Sequence, residues 1–148
     1  MIRWIAMFGA TGLIWFEIGG IVLVLLKPFI GSAIVLLVSS IGIGWGIQQL
    51  IGYYWFYERP WVSHPTHWSF IQTSPYSKSF PSDHAAIAFI GVGVSFIWIP
   101  HIFIPVIVCA LCIAVSRVWV GVHRTIDVLS GATLGLLLVS FIHGLFGL

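Results

Sequence analysis

Five long apolar runs leave this chain almost no choice of solvent. They cover residues 2–26, 29–56, 82–99, 102–119 and 126–146, and the one long polar interval between them is 57–81. A hydrocarbon layer about 30 Å thick takes roughly 20 helical residues to cross, and a lone span inside it must satisfy its backbone hydrogen bonds within itself. All five runs are therefore expected to be helices. The chain reads as an all-α integral membrane protein, a single domain over residues 1–148 built as a bundle of about five transmembrane helices. Lys27-Pro28 is expected to end the first run, and Pro100-His101 to form a tight turn between the third and fourth. The third run is short, so its first polar residues should sit near the interface. No internal repeat or low-complexity tract divides the chain.

With 59% hydrophobic and 7% charged residues, a soluble core of this size could not hide the apolar surface. Six basic against four acidic side chains give a net charge of +2, too little for a nucleic-acid footprint, and no nucleic-acid partner is expected. Eight tryptophans and four tyrosines suit helix ends that sit at headgroup level. Cys109 and Cys112, inside an apolar run, lack the polar, accessible setting that lowers a thiol pKa, so they are read as packing residues. The N-terminal run is too long, and lacks a small-residue cleavage pattern, to be read as a signal peptide.

Counting spans places the polar residues. Arg59 follows the second run, His84 opens the third, Ser116 and Arg117 close the fourth, and His123 and Asp127 lie in the turn into the fifth. Alternation alone sets all of them at one face of the membrane, where a single active site is expected. Two permanently charged guanidinium forks there suit phosphate oxygens. Lipid-headgroup anchoring is the plainer use, sufficient for Arg3 and Lys27. For Arg59 and Arg117 the phosphate clamp is preferred, because unpaired charge within a span costs about 2.5 to 3.5 kcal/mol on insertion scales.

Pro81-Ser82-Asp83-His84 reads as a helix start, with Ser82 able to cap and the free amides after it facing an approaching anion. His123 and Asp127 are four apart, so on a helical turn the carboxylate can accept the proton of one ring nitrogen and leave the other as a nucleophile. His84 faces them as a second imidazole. His101 and His143 are read as wetted polar residues.

Together these residues resemble the signature of the type 2 phosphatidic acid phosphatase superfamily of membrane lipid phosphatases. Ser116, Arg117, His123 and Asp127 match its third motif in full, and Pro81-Ser82-Asp83-His84 corresponds to the second, which usually has glycine in place of Asp83. The first motif is half present, with Arg59-Pro60 kept and Gly52 where a lysine is usual. Asp83, the aromatic run with Glu58 before Arg59-Pro60, and the phrase from Ser116 to His123 look like the bacitracin-resistance branch, whose members remove a phosphate from the cell-wall lipid undecaprenyl pyrophosphate. The similarity covers residues 41–135. Lys78, from the loop, is the candidate to make the missing lysine's contact, solvent exposure being its simpler explanation.

The resemblance implies a mechanism. His123 attacks the terminal phosphorus to give a phosphohistidine while Asp127 holds its tautomer, and His84 protonates the departing oxygen and later activates water. Arg59, Arg117, Ser82 and the amides after it hold the phosphate oxygens, with Ser116, Asp83 and Lys78 completing the phosphate-binding set. No metal and no cofactor are expected, since arginines and amides take the neutralising role. Asp83 beside an anion must point away, pair with Arg124 or Lys78, or bind a bridging cation, and pairing is preferred. The partners implied are a polyprenyl pyrophosphate or another lipid phosphate (phosphatidate, phosphatidylglycerophosphate, a phosphorylated lipid A) and membrane lipids. Family members commonly have six spans, and here two rather than three precede Arg59. That implies an absent early helix, an N-terminus on the catalytic side, and a homo-oligomer covering the exposed flank.

The positive-inside rule, applied to Arg59, Arg117 and Arg124 against Lys27, turns the site to the cytoplasm. The resemblance implies an extracytoplasmic site, which is preferred because those arginines have a catalytic reason to exist. The rival from another class is a non-catalytic transporter using the same arginines and histidines as a relay. The soluble vanadium haloperoxidases share the motifs, but this composition excludes them. Glu17, inside the first run, is expected to be protonated or paired to Gln48 or Gln49, with Gly19 and Gly20 allowing close helix approach. His64 and His67 are read as loop or substrate contacts rather than metal ligands.

Overall fold

The computed structural model describes residues 2–26, 31–63, 69–71, 73–74 and 76–147, with side chains from residue 4 onward. Lys27-Pro28, His64 and His67 lie outside the described residues. The helices are α1 (Ile2–Thr11), α2 (Leu13–Leu25), α3 (Gly31–Tyr54), α4 (Pro60–Ser63), α5 (Asp83–Trp98), α6 (Phe103–Trp119) and α7 (Thr125–Phe146), with a 3-10 turn at Pro100–Ile102. Among the described residues there is no strand. The chain is an all-helical membrane protein, as its apolar runs require.

Not every run forms a single continuous helix of full spanning length. By length and composition α3, α7 and the stretch Pro100–Trp119 can each cross a membrane, and α1 with α2, bent by 45°, can together make a fourth crossing. The α5 helix has 16 residues, roughly 24 Å, and falls short of spanning length. The bend corrects the expectation of one continuous first helix. A Cβ at residue 12 would meet both the ring and the carbonyl of Phe8, so the bend sits where glycine leaves room, and the Gly12 amide still reaches Phe8 O at 2.7 Å. The result is an α1 that lies along α6 and presents its last turn to the polar end of the bundle.

The short α5 is the axis of the fold, with α2, α3, α6 and α7 all packed on it. Its sequence explains this: Ala85, Ala86, Ala88 and Gly91 are buried and small, so neighbouring backbones come close. The approach is tightest against α7. A methyl group at Gly131 would stand 2.4 Å from the Ser82 carbonyl oxygen, and one at Gly135 would stand 2.4 Å from that of Ala86. Lipid tails are as apolar as leucine, so helix association in a bilayer depends on such intimate packing between small residues. Two glycines one turn apart thereby lock the start of α7 in register with the start of α5, which carries His84. Gly19 and Gly20, expected to serve this purpose, instead face open space.

Large apolar side chains such as Trp15, Leu23, Val38, Leu137 and Phe141 point outward, an exposed surface that suits lipid. Tyr53 to Tyr57 at the end of α3, with Trp119 at the end of α6, add exposed aromatics of the kind that anchor helix ends at headgroups. Glu17 is buried against Gly91 of α5 rather than against Gln48 or Gln49, and neither of its carboxyl oxygens has a partner among the described residues. The pairing expected for it does not form.

Candidate active site

The polar residues that alternation set at one face converge at the starts of α5 and α7, the end of α6 and the loop after α3. His123 stands in the α6–α7 turn, buried, and its two ring nitrogens meet different partners. Nδ1 lies 2.8 Å from the Ser79 carbonyl oxygen, and Nε2 lies 3.3 Å from Nη2 of Arg117. A carbonyl only accepts and a guanidinium only donates. The tautomer follows: Nδ1 carries the proton, and Nε2 keeps its lone pair turned toward Arg117.

This reassigns the part expected of Asp127. Its Oδ2 is 3.7 Å from His123 Nδ1, beyond a hydrogen bond, and accepts instead from Ser79 Oγ at 2.5 Å and from the Arg124 amide at 2.8 Å. The carboxylate therefore ties the loop that supplies the tautomer-setting carbonyl to the turn that carries His123. It acts on the imidazole through Ser79. Nothing in the sequence marked Ser79, because the group that matters is a backbone oxygen that any residue type could provide.

Arg117, in the last turn of α6, is buried and pinned: Nη1 donates to Ala10 O of α1 at 2.8 Å while Nη2 meets His123. Its Nε has no partner among the described residues, so one donor of the fork is left over. The bend at Gly12 matters here, since the last turn of α1 supplies the Ala10 oxygen. Arg59, before α4, donates from Nε to Ser77 Oγ at 2.8 Å and from Nη1 to Val122 O at 3.0 Å, which leaves Nη2 unengaged among the described residues. Two oriented guanidinium groups with spare donors form a cradle for an anion.

The start of α5 faces the same place. His84 is within electrostatic reach of Arg117, His123 and Arg59. The Asp83 and His84 amides have no backbone or side-chain acceptor among the described residues, as expected for the first turn of a helix. Ser82 is fully buried, accepts from the Ala85 amide at 3.5 Å and donates its own amide to Asp127 O at 2.9 Å. Its hydroxyl thus caps α5, and the amides left free at the start of that helix are donors of the kind an anion accepts from. Ser116 is likewise redirected: it packs on Gly9 of α1, on a flank lined by Ile5, Phe8, Val108 and Leu111. In this structure its contacts are with the α1 helix, among apolar side chains.

Asp83 pairs with Lys78, Oδ1 to Nζ at 2.6 Å. Arg124, the other partner considered for it, instead donates to Glu58 O at 3.1 Å and to Ser63 Oγ at 3.0 Å, fastening the loop to the turn. Arg59, Lys78 and Asp83 border a groove of about 870 Å³ that runs along α3 past Gly46, Leu50 and Tyr53. Burial holds the pKa of His123 below its ordinary value; Asp127 opposes this, and Arg117 and Arg59 reinforce it. Burial also lowers that of Arg59, with Asp83 and Asp127 opposing. The site can therefore present a neutral imidazole nitrogen to an anion held by two cations. No cluster that could hold a metal ion occurs among the described residues.

Residues 33–147 match the PAP2 superfamily. The chain belongs to that superfamily. Among individual proteins it is similar to the bacitracin transport permease protein BcrC of Bacillus licheniformis, with 35% identity over an alignment of 74 residues and coverage of 44% of this chain and 32% of that protein. The chain thus matches about a third of the length of that relative. Its fold is similar to the crystal structure of a transmembrane PAP2 type phosphatidylglycerolphosphate phosphatase from Bacillus subtilis, with a TM-score of 0.65, 24% identity, and coverage of 95% of this chain and 72% of that one.

Proposed function

We propose that this PAP2 superfamily member is a membrane lipid phosphatase that removes the terminal phosphate of a polyprenyl diphosphate, undecaprenyl pyrophosphate being the type, through a phosphohistidine on His123. The observation that carries the reading is the lone pair of His123 Nε2, held by the Ser79 carbonyl on the far nitrogen and directed into a cradle of two arginines. With the diphosphate bound, Nε2 attacks the terminal phosphorus and the bond from that phosphorus to the bridging oxygen breaks, while His84, whose pKa burial and Arg117 hold low and the phosphate charge raises, gives a proton to the departing oxygen. The spare Nε of Arg117, Nη2 of Arg59 and the amides opening α5 hold the three remaining oxygens as charge redistributes. Water then gives a proton to His84 and attacks the phosphorus, the phosphorus–nitrogen bond breaks, and inorganic phosphate leaves with the starting tautomer restored.

The bacitracin-related similarity and the Asp83 form of the second motif favour a diphosphate. A second reading, hydrolysis of a lipid monoester, is favoured by the fold shared with a phosphatidylglycerolphosphate phosphatase. Purified protein, assayed in chelator, should release phosphate from undecaprenyl pyrophosphate faster than from phosphatidylglycerophosphate, phosphatidate or a phosphorylated lipid A. His123→Ala should lose roughly 10⁴-fold or more, as for other covalent nucleophiles. Undiminished release by that variant would falsify the mechanism, and a faster monoester would select the second reading. The site is further proposed to face outside the cytoplasm. In a Cys109→Ala, Cys112→Ala background, Ser74→Cys should react with an impermeant thiol reagent added to intact cells; protection until lysis would reverse the orientation.

A further inference from the structure

Lys78 is built into the structure in an unusual way. Its aliphatic stem crosses α3 directly over Gly52, so closely that a methyl group at Gly52 would overlap Lys78 Cδ. The ammonium ends on Asp83 Oδ1 at 2.6 Å, with Pro81 O at 3.5 Å, and the side chain is 11% exposed against 39% for Asp83. A surface lysine held only by solvent needs neither a bare helix beneath it nor a carboxylate waiting at its tip. The neighbouring Ser77 accepts the Arg59 Nε hydrogen bond, so this lysine sits one residue from an anchor of the phosphate cradle.

Position along the groove gives the lysine its meaning. Gly46 and Leu50 line the apolar stretch, Arg59 stands at the charged end, and Gly52 with Lys78 lies between them. Gly46 to Gly52 is about 9 Å along the helix axis. A lipid whose tail follows α3 and whose terminal phosphate reaches Arg59 must carry any second phosphate past Lys78. Resting on the phosphatase reading above, we propose that Lys78 binds the tail-proximal phosphate of a lipid diphosphate by exchanging Asp83 for it, and so selects diphosphates over monophosphates. Asp83 is the counter-ion of the empty state. It holds the ammonium over Gly52 and swings to its own, more exposed side when the phosphate displaces it. A monophosphate ester gains nothing from the exchange, because its only phosphate lies at Arg59 and Arg117.

The test compares two lipids with one tail, diacylglycerol diphosphate and phosphatidate, on purified protein in mixed micelles. The quantity read is the ratio of their kcat/KM values, which partial loss of folded protein leaves untouched. Lys78→Met should lower the diphosphate to monophosphate ratio about tenfold. Gly52→Ala, which leaves the lysine in the chain but displaces its stem, should lower the ratio in the same direction, and Lys78→Arg should restore part of it. A ratio that stays constant in Lys78→Met and Gly52→Ala, whatever the loss of overall rate, overturns the inference while the phosphatase reading stands. If the unaltered protein releases phosphate from neither lipid nor from a polyprenyl diphosphate, both fall together.

Discussion

Buried polar groups occur in two layers of this molecule, and the two are treated oppositely. At the catalytic face Arg59, Arg117, His123 and Asp127 are buried and each is held by named partners from other segments. In the middle of the bundle Glu17, Ser40 and Gln48 are equally buried, yet both oxygens of Glu17, the Ser40 hydroxyl and the Gln48 carbonyl lack partners among the described residues. Burying a polar group without a hydrogen bond costs on the order of 1–3 kcal/mol. The face uses its hydrogen bonds for orientation, and among the described residues the arginines keep spare donors, Nε of Arg117 and Nη2 of Arg59, that an anion could take. Glu17, Ser40 and the Gln48 carbonyl are held by packing among the described residues, so polarity there does not locate a reaction.

Substitutions in each layer put that contrast to the test. The largest effect is expected at Arg117, whose fork holds Ala10, His123 and a spare donor at once. Arg117→Lys keeps the charge and loses the geometry, and kcat should fall about 10²- to 10³-fold; a lysine that retained the rate would mean that charge alone suffices. Asp127 comes next. If it works as a tether through Ser79 and the Arg124 amide, Asp127→Ala should cost about 10- to 100-fold in kcat. Asp127→Asn, which can still accept both bonds, should recover most of it, whereas equal losses would return the role to the negative charge.

Between the layers lies the α5–α7 contact. Gly135→Val forces a side chain against the Ala86 carbonyl and should destabilise the bundle by about 1–3 kcal/mol, read as a lower Tm in detergent. An unchanged Tm would show that α7 slides freely. The pH dependence is smaller in extent. His123 must be neutral to attack, and its pKa is held below the ordinary value of about 6.5, so it stays competent as pH falls through that value and protonates only beyond it. The acid limb of phosphoenzyme formation in a single turnover should lie below pH about 6.5; a limb above it would mean that burial does not govern this ring. The least effect is expected at Glu17. Glu17→Leu should leave kcat within about twofold and stability equal or higher, as when an unpaired buried polar group is replaced by an apolar one; a large loss of activity would join the two layers into one machine.

Much of the site was legible early for a simple reason: arginine, histidine and aspartate are conspicuous in a chain that is 7% charged. Arg59, His84, Arg117, His123 and Asp127 could each be named from their positions at helix ends. What misled was the assumption that neighbours in the sequence bond to each other. Four residues apart on a helical turn suggested a direct bond between His123 and Asp127, but His123 lies in the turn before α7 begins. Ser82 and Ser116 were expected at phosphate because they adjoin histidine and arginine, and the fold shows one as a helix cap and the other packed on Gly9. The small residues that mattered were Gly131 and Gly135, recognisable only once α5 lay against them.

The sequence by itself determined the solvent, the helical class and the face at which chemistry could gather, because hydropathy and the alternation of spans depend on local composition. Which nitrogen of His123 keeps its lone pair, how Arg117 is aimed, and that Lys78 passes over Gly52 to meet Asp83 emerge from the packed fold. Those outcomes depend on the carbonyls of Ser79, Ala10 and Val122 and on the absence of a Cβ, groups that the backbone supplies wherever the fold brings it and that no side-chain pattern announces.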